Sequence, residues 1–230
     1  MITPEAASPA PGPPEIGSLE GGPAAPVPPE TPARQPQERT GRTRLALLEA
    51  ARHVFATEGF QKAEIAQITR AAARATGTFY VHFDNKLELL KAMVEQFRAD
   101  MIAGGLDRPE HTADAVGDVL RALWRAHERH SPTFRALAEA ASVHPEMAAL
   151  YAELRDNARH DFRSMLKSSP RFAGASDARL AVTASALEIL VTSCLYEWHA
   201  VAQRPDGYTE DAGFECVLDI MTSVLAPSRT

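Results

Sequence analysis

A short polar segment near residue 80 carries the side chains best suited to contact another molecule. It runs from Ala75 to Phe83 and reads ATGTFYVHF. Hydroxyl, imidazole and ammonium groups hydrogen-bond to base edges or phosphate oxygens, and a glycine lets a nucleic-acid backbone come close. The pattern predicts a DNA-contacting surface made by Thr76, Gly77, Thr78, Tyr80, His82 and Lys86, whereas Phe79 and Phe83 are expected to face the core.

Three short helices are predicted to position this surface. Apolar residues recur at helical spacing from Thr43 until Gly59, a second helix is expected at about 64–72, and a third at about 75–80. A tight connection between the second and third helices is the helix-turn-helix arrangement, in which the third enters a major groove. The first helix directs its N-terminal amides at a phosphate, so Thr43 is a further predicted contact.

The remainder of the chain is also predicted to be helical. A long helix is expected from Leu87 to about Ala103, and further helices over 111–130, 132–142, 146–168, 177–203 and 210–225, separated by turns that contain proline. No alternating strand pattern of useful length occurs. The chain is therefore predicted to be all-α, with an N-terminal three-helix helix-turn-helix unit at 39–86 followed by a larger helical region at 87–230.

Charge is distributed unevenly along the 230 residues. The net charge is −6, but residues 1–33 carry −4, residues 34–100 carry +3 and residues 101–230 carry −5. Eleven of the 17 prolines lie in residues 1–36, so residues 1–38 are predicted to form a disordered, proline-rich acidic tail. An acidic total argues against a nucleic-acid partner only when the charge is spread evenly. Here the basic excess coincides with the three-helix unit.

Composition argues against several other classes of protein. No uncharged apolar stretch approaches the roughly 18 residues of a membrane span, so no membrane partner is predicted. The two cysteines suit a reducing cytosol and predict a cytoplasmic protein. His127 and His130 share a helix face, but no further ligand completes a metal set, so neither metal nor cofactor is predicted. No catalytic motif is present; an all-helical enzyme, or a protein-interaction adaptor without a DNA role, remains the alternative.

Two stretches resemble a known family. These are RTRLALLEAARHVFATEGF and TGTFYVHFDNKLELLKAMVEQF, and over about residues 42–97 the sequence is similar to the TetR family of bacterial transcriptional regulators. The matching positions are Thr78, Tyr80, His82, Phe83, Lys86, Leu89 and Leu90. The resemblance implies a sequence-specific regulator that binds double-stranded DNA at a palindromic operator as a homodimer. It further implies a repressor that a small hydrophobic or amphipathic effector releases.

The sequence departs from the family pattern at the turn. The family usually has Ala-Gly-Val-Ser where this chain has Ala72-Ala73-Arg74-Ala75, so the residue that most readily adopts positive φ is missing. Either the fold is preserved and Arg74 projects as an added DNA contact, or this stretch merely extends the second helix. Glu64 is expected to assist the start of the second helix, because Ala63 occupies the usual Thr or Ser position.

The basic residues before the first helix also leave two interpretations open. They act as an arm that contacts DNA, or they are solvated charges; the residues are Arg34, Arg39, Arg42 and Arg44.

The resemblance also implies a ligand-binding and dimerisation role for residues 87–230. Aromatic and apolar residues of the middle helices would line a ligand chamber: Trp124, His127, Phe134, Leu137, Tyr151, Leu154, Phe162 and Met165. Residues of the last two long helices would pair across a two-fold axis: Leu187, Leu190, Val191, Cys194, Leu195, Trp198, Phe214, Val217, Leu218 and Met221. Periodicity alone does not separate such an interface from an intramolecular core.

Overall fold

Eight α-helices form the parts of the chain that the computed structural model describes, residues 35–106 and 116–226. They are α1 (Gln35–Lys62), α2 (Ile65–Ala71), α3 (Thr76–His82), α4 (Lys86–Met101), α5 (Val116–Ala141), α6 (Pro145–Ser168), α7 (Asp177–Leu195) and α8 (Glu210–Leu225). Single π-helical segments follow α4 (Ile102–Leu106) and α7 (Tyr196–Val201). No strand occurs in the described ranges, and the predicted all-α fold is confirmed.

The first helix begins earlier than the sequence pattern indicates. It starts at Gln35, inside the segment predicted as tail, whose residues 1–34 lie outside the described part. Its regular course ends at the predicted position, because Gly59 has φ 76° and ψ 165° and kinks the chain before Lys62. Positive φ is accessible to glycine without steric cost, so the residue type accounts for the kink.

Proline does not divide the fifth helix. A break at Ser131-Pro132 was expected, but α5 runs without interruption from Val116 to Ala141 with Pro132 inside it. A proline in a helix removes one backbone hydrogen bond and usually kinks or ends the helix. Burial of Ala126, His130, Thr133 and other residues on both sides of Pro132 holds the helix together across that position.

Two hydrophobic clusters organise the described residues. The first joins α1, α2 and α3 to α4 and to the end of α5, through residues such as Leu48, Phe79, Leu90 and Leu137. The second joins α5, α6, α7 and α8. The domain boundary predicted at residue 86 therefore cuts through the first cluster, and the three-helix unit is packed directly on α4 and α5.

Helix α7 continues into its π segment as an unusually apolar element. The span Asp177–Val201 is long and apolar enough to cross a membrane by length and composition, and 33% of its most apolar window is buried within the chain. The expectation that no uncharged apolar stretch of this length occurs is not contradicted, because Glu188 and Glu197 lie within the span. Glu188 lies in the middle of the helix, is fully buried and accepts hydrogen bonds from Arg155 and Arg159 on α6. The helix is thus tied to its neighbour by a charged contact.

Candidate nucleic-acid interface and internal cavity

The turn between α2 and α3 keeps a tight geometry without glycine. Ala72 caps α2, and Ala73 takes the left-handed conformation with φ 52°. The amides of Ala73 and Arg74 bond back to the carbonyls of Arg70 and Thr69 at 3.0 and 2.9 Å. The alternative in which this stretch extends the second helix is therefore wrong. Arg74 is exposed, as the projecting interpretation requires.

The start of α2 uses Glu64 as expected. Glu64 is the residue that precedes the helix, and its amide donates to the side-chain oxygen of Gln67 at 2.8 Å. Gln67, the third residue of α2, thus satisfies the backbone amide of Glu64, as the third helical residue does in a capping box.

Helix α3 has one buried face and one exposed face. Phe79 is fully buried and Phe83 nearly so, as predicted. Thr76, Gly77 and Tyr80 are exposed, and a Cβ added to Gly77 would have no neighbour within 4 Å. The open side of Gly77 leaves room for a close backbone approach from outside.

The remaining predicted contacts of this region are less accessible. Thr43, Thr78 and His82 are half-buried, and the Thr76 hydroxyl lies 3.4 Å from that of Thr69. Val81 is 76% exposed on the same helix and was not predicted as a contact. The sequence could have indicated this exposure. Phe79 and Phe83 are four residues apart and share the buried face of α3, so Val81, midway between them, points to the other side of the helix.

Lys86 has a structural task that the sequence did not indicate. Its ammonium donates to the carbonyls of Phe60, Ala63 and, more weakly, Gln61 at 2.6, 2.8 and 3.3 Å. It also lies 4.6 Å from the centre of the Phe60 ring. Burial lowers the pKa of Lys86, and the charge of Glu139 partly offsets this effect. The predicted phosphate contact is corrected: the three donors of an ammonium are already engaged within the chain.

Lys86 and Glu139 bind the same backbone segment, Lys86 through its carbonyls and Glu139 through its amides. We call residues 59–63 the joint; they run from the kink at Gly59, near the end of α1, toward the start of α2. Glu139, on α5, accepts from the amides of Phe60 and Gln61 at 2.7 and 3.4 Å. Lys86, on α4, binds carbonyls of the joint, and Glu139 binds two of its amides. Side chains from two other helices therefore fix the backbone of the joint.

The basic residues of α1 are part of a helix. Arg39 and Arg42 are exposed on α1, and the Arg44 guanidinium lies 5.3 Å from the centre of the Phe83 ring. These three residues therefore lie on a helix, and their contact with DNA stays a prediction. Arg34 lies outside the described residues.

A cavity of about 370 Å³ lies between α4, α5, α6 and α7. Six of the eight residues predicted for a ligand chamber line it: His127, Phe134, Tyr151, Leu154, Phe162 and Met165. The last turns of α4 contribute Phe97, Arg98 and Met101, which the sequence did not single out. The interior that was predicted from aromatic and apolar residues is thus present in the described structure.

Two residues assigned to the chamber lie elsewhere. Trp124 packs against Trp198, His199 and Phe214, and its indole N–H lies 3.3 Å from a Glu210 carboxylate oxygen. Leu137 is fully buried in the cluster around α1 to α3. Both assignments to the cavity are wrong, because α5 is long enough to serve both clusters and these two residues face away from the cavity.

His127 is a neutral part of the cavity wall. Its Nδ1 lies 3.0 Å from the Leu123 carbonyl, its ring stacks on Phe134 with centroids 4.3 Å apart, and Phe97 meets it edge-on. Burial lowers the pKa of His127 to about 4, although the bond to Leu123 opposes the shift. His130, three residues later, bonds Asp100 through Nε2 at 2.9 Å. Residues 35–106 and 116–226 contain no group of three side chains able to hold a metal.

Most of the predicted dimer residues belong to the chain's own core. Leu187, Val191, Leu195, Phe214, Val217 and Met221 are buried in the second cluster. Leu190, Cys194, Trp198 and Leu218 are half-buried, and all but Leu190 pack against that cluster. The assignment of the six buried residues to an interface is corrected. The exposed apolar residues of these helices are others: Val182 at 71%, Ile189 at 49% and Ile220 at 38%.

Comparisons with known proteins locate the similarity in the N-terminal half. Residues 47–93 match the family profile described as bacterial regulatory proteins of the tetR family. The chain is 32% identical over 87 residues to YvdT of Bacillus subtilis, covering 36% of this chain and 45% of that protein. It is 37% identical over 62 residues to TtgW of Pseudomonas putida, covering 27% and 46%. Both are described as uncharacterized HTH-type transcriptional regulators, and the matches span about half of their lengths.

Solved structures share the fold over most of the chain. A transcriptional regulator (TerR/AcrR family) from Aquifex aeolicus VF5 superposes with a TM-score of 0.63 at 16% identity, covering 79% of this chain and 99% of its own. A regulatory protein of the tetR family from Rhodococcus RHA1 gives 0.64 at 19% identity, covering 82% and 99%. None of these four proteins is described as an enzyme. Residues 47–93 of the chain are thus similar to the tetR family of bacterial regulatory proteins, and the described residues share the fold of solved members of that family.

Proposed function

We propose that this protein is a cytoplasmic, homodimeric repressor that binds a palindromic operator and leaves it when a small molecule enters the cavity. The observation that carries the DNA-binding part is the exposed face of α3. There, Thr76, Gly77 and Tyr80 stand next to a left-handed turn that presents Arg74. Groups of this kind contact base edges and phosphates when a recognition helix enters a major groove.

The charge of the α1–α3 region supports the same proposal. Residues 34–100 carry a net +3 in a chain of net −6, and Arg39, Arg42 and Arg70 are exposed there. Positive charge next to a recognition helix supplies the salt-dependent attraction to phosphates. The acidic remainder of the chain suppresses contacts with DNA elsewhere on the surface.

Gel retardation of the DNA upstream of the protein's own gene tests this part. We expect specific retardation at low salt that Tyr80→Ala or Arg74→Ala weakens about tenfold, since one base or phosphate contact contributes about 1–3 kcal/mol. Arg125→Ala is the matched control, because Arg125 is equally exposed but lies on α5. Equal affinity of all three variants and the parent would refute the assignment to α3.

The dimer part rests on the uncovered side of α7. Val182, Ala186, Ile189 and Ser193 are exposed and follow one another at helical spacing, and Ile220 adds an apolar side chain on α8. We propose that a second copy of the chain covers this face. In a two-fold dimer the same small and apolar side chains of both copies pack against each other. Two copies also present two α3 helices to successive major grooves of a palindrome.

The mass of the protein in solution tests the dimer. Ile189→Asp places a charge in the middle of the proposed interface and is expected to give monomers by light scattering. Val143→Asp is the control: Val143 is 58% exposed but lies between α5 and α6. Dimers that persist in Ile189→Asp, or that dissociate equally in both variants, would contradict this interface.

Release by a ligand is supported by the position of α4. Its first residue, Lys86, holds the joint, and its last turns contribute Phe97 and Met101 to the cavity. A rigid helix that touches both sites converts displacement at one end into rotation at the other. The test is gel retardation of the DNA in the presence of candidate metabolites. A metabolite that binds the protein and leaves the retardation unchanged is not the effector. If no ligand of the cavity releases the protein from DNA, release by a ligand is refuted.

A further inference from the structure

The cavity wall contains three charged residues, and each of them already interacts with another group of the chain, although Nε of Arg98 is buried without a hydrogen-bond partner. They are Arg98, Arg155 and Asp161. Arg98 donates to Glu153 at 2.9 Å, and Arg155 binds Glu188 through two hydrogen bonds of 2.7 and 3.0 Å. Asp161 has an interaction of its own. Because the buried carboxylate of Glu188 already accepts from two nitrogens of Arg155, this guanidinium has few donors left for an anionic ligand.

The charges behind the wall also balance. Glu188 is shared by Arg155 and Arg159, and Arg159 pairs in addition with Asp156. Two guanidiniums therefore face two carboxylates on α6 and α7. A ligand carboxylate placed near Arg155 would have to compete with Glu188, which is fully buried and therefore costly to leave without its partner.

His127 supplies the cavity wall with an atom that can only accept a hydrogen bond. Other polar residues also line the cavity, but their hydroxyl or amide groups can donate as well as accept: Tyr151, Asn157, Thr192 and Tyr196. His127 lines the cavity and commits Nδ1 to the Leu123 carbonyl, which fixes the proton on Nδ1 and leaves Nε2 as an acceptor. No described residue bonds Nε2. The ring cannot turn to exchange the two nitrogens without losing its stack on Phe134. An acceptor of fixed orientation that cannot itself donate favours a ligand that brings a donor.

The volume limits the size of the ligand. An engineered cavity of about 150 Å³ holds benzene, so about 370 Å³ corresponds to roughly ten to fifteen non-hydrogen atoms. This lies at the lower end of the usual range for small-molecule sites.

We propose that the effector is an uncharged, mainly apolar molecule of this size whose hydroxyl or N–H group donates a hydrogen bond to Nε2 of His127. This inference rests on the proposed function for the word effector, but the binding itself is independent of DNA. It narrows the hydrophobic or amphipathic ligand expected from the family resemblance, because it excludes anionic and cationic head groups.

A matched set of ligands on one skeleton tests the inference without DNA. The probes are 2-naphthol, naphthalene, 2-naphthoate and 2-naphthylmethylamine, which are respectively a neutral donor, a neutral molecule without a donor, an anion and a cation. Calorimetry and thermal shift of the full chain at pH 7 measure binding. We expect 2-naphthol to bind about three- to tenfold more tightly than naphthalene, as one hydrogen bond provides, and both charged probes to bind more weakly than naphthalene.

Variants assign the preference to one atom. His127→Phe keeps the aromatic stack and is expected to bind naphthalene and 2-naphthol equally. His127→Leu gives the same readout should the first variant fold poorly. His160→Leu is the control, because His160 is exposed on α6 and its removal should leave the preference intact. A preference for 2-naphthol that survives in both His127 variants would overturn the assignment.

The outcomes separate this inference from the proposed function. Binding of 2-naphthoate as tightly as 2-naphthol, or no binding of any probe, refutes the ligand class whatever the DNA result. Selective binding of 2-naphthol by a protein that retards no DNA supports the ligand class and refutes the regulator.

Discussion

The left-handed turn residue Ala73 makes a quantitative prediction. Its φ of 52° is a conformation that an L-residue with a Cβ enters at a cost of about 1–2 kcal/mol. Replacing Ala73 with Gly removes that cost but increases the backbone entropy of the unfolded chain, which opposes the gain by about 0.5–1 kcal/mol. The net expectation for Ala73→Gly is a stabilisation of about 0.5–1 kcal/mol, or roughly 1–4 °C in Tm for a chain of this size.

Two further alanines provide matched controls. Ala202 also has positive φ, at 60°, but lies at the end of the π segment after α7, so Ala202→Gly should stabilise by a similar amount. Ala75 has φ −70° and ψ 147°, so Ala75→Gly relieves no strain and should destabilise by about 0.5–1 kcal/mol. Ala73 and Ala75 are two residues apart and both exposed, so their difference isolates backbone conformation.

The assay is urea unfolding followed by circular dichroism, with DNA retardation as a second readout. Because Gly reproduces the geometry that Ala73 already has, operator affinity should be unchanged in Ala73→Gly. Destabilisation by Ala73→Gly equal to that by Ala75→Gly would show that the turn is not left-handed, and the positioning of α3 derived from it would fail.

Further predictions concern buried charges. Lys86→Met leaves the carbonyls of the joint without a donor and should lower the free energy of unfolding by about 2 kcal/mol. Lys62→Met, at the exposed end of α1, is the control and should change it by less than about 0.5 kcal/mol. Equal losses in the two variants would contradict the role of Lys86. Glu188→Gln should lower stability by about 1–3 kcal/mol in thermal unfolding, and a neutral result would show that its bonds to Arg155 and Arg159 contribute nothing. Lowering the pH from 7 to 5 should destabilise the protein by on the order of 2 kcal/mol, because the folded chain holds the pKa of His127 at about 4 while the unfolded chain takes up the proton near 6.5; a pH slope unaltered in His127→Leu would contradict this.

The sequence predicted most of what local spacing determines. Helical periodicity located α2, α3, α6 and α8 to within a few residues, and the alternation of Phe79 and Phe83 with polar residues identified the exposed face of α3. Aromatic residues on α5 and α6 were correctly grouped around an interior. In each case one element and its neighbours in sequence contain the information.

Features that depend on distant partners were not predictable in the same way. Nothing near Lys86 in sequence indicates that its side chain reaches back to Phe60 and Ala63, more than 20 positions earlier. Helix α7 is apolar on several faces, so its pattern does not distinguish Leu187, which is buried, from Ile189, which is exposed. Pro132 ends no helix because tertiary packing on both sides outweighs the local preference.

The contact between Glu139 and the joint has a practical consequence for engineering this protein. Gly59 has φ 76°, and a Cβ at this position would lie 3.1 Å from a Glu139 carboxylate oxygen. Glu139, which accepts from the amide of the next residue, Phe60, lies on α5 five positions after the cavity residue Phe134. Residues of the cavity wall can therefore be replaced while Gly59 and Glu139, which lie outside that wall, are kept unchanged. A chimera that joins helices α1–α3 to another helical domain would need a carboxylate at the matching position to keep the joint bonded in the same way.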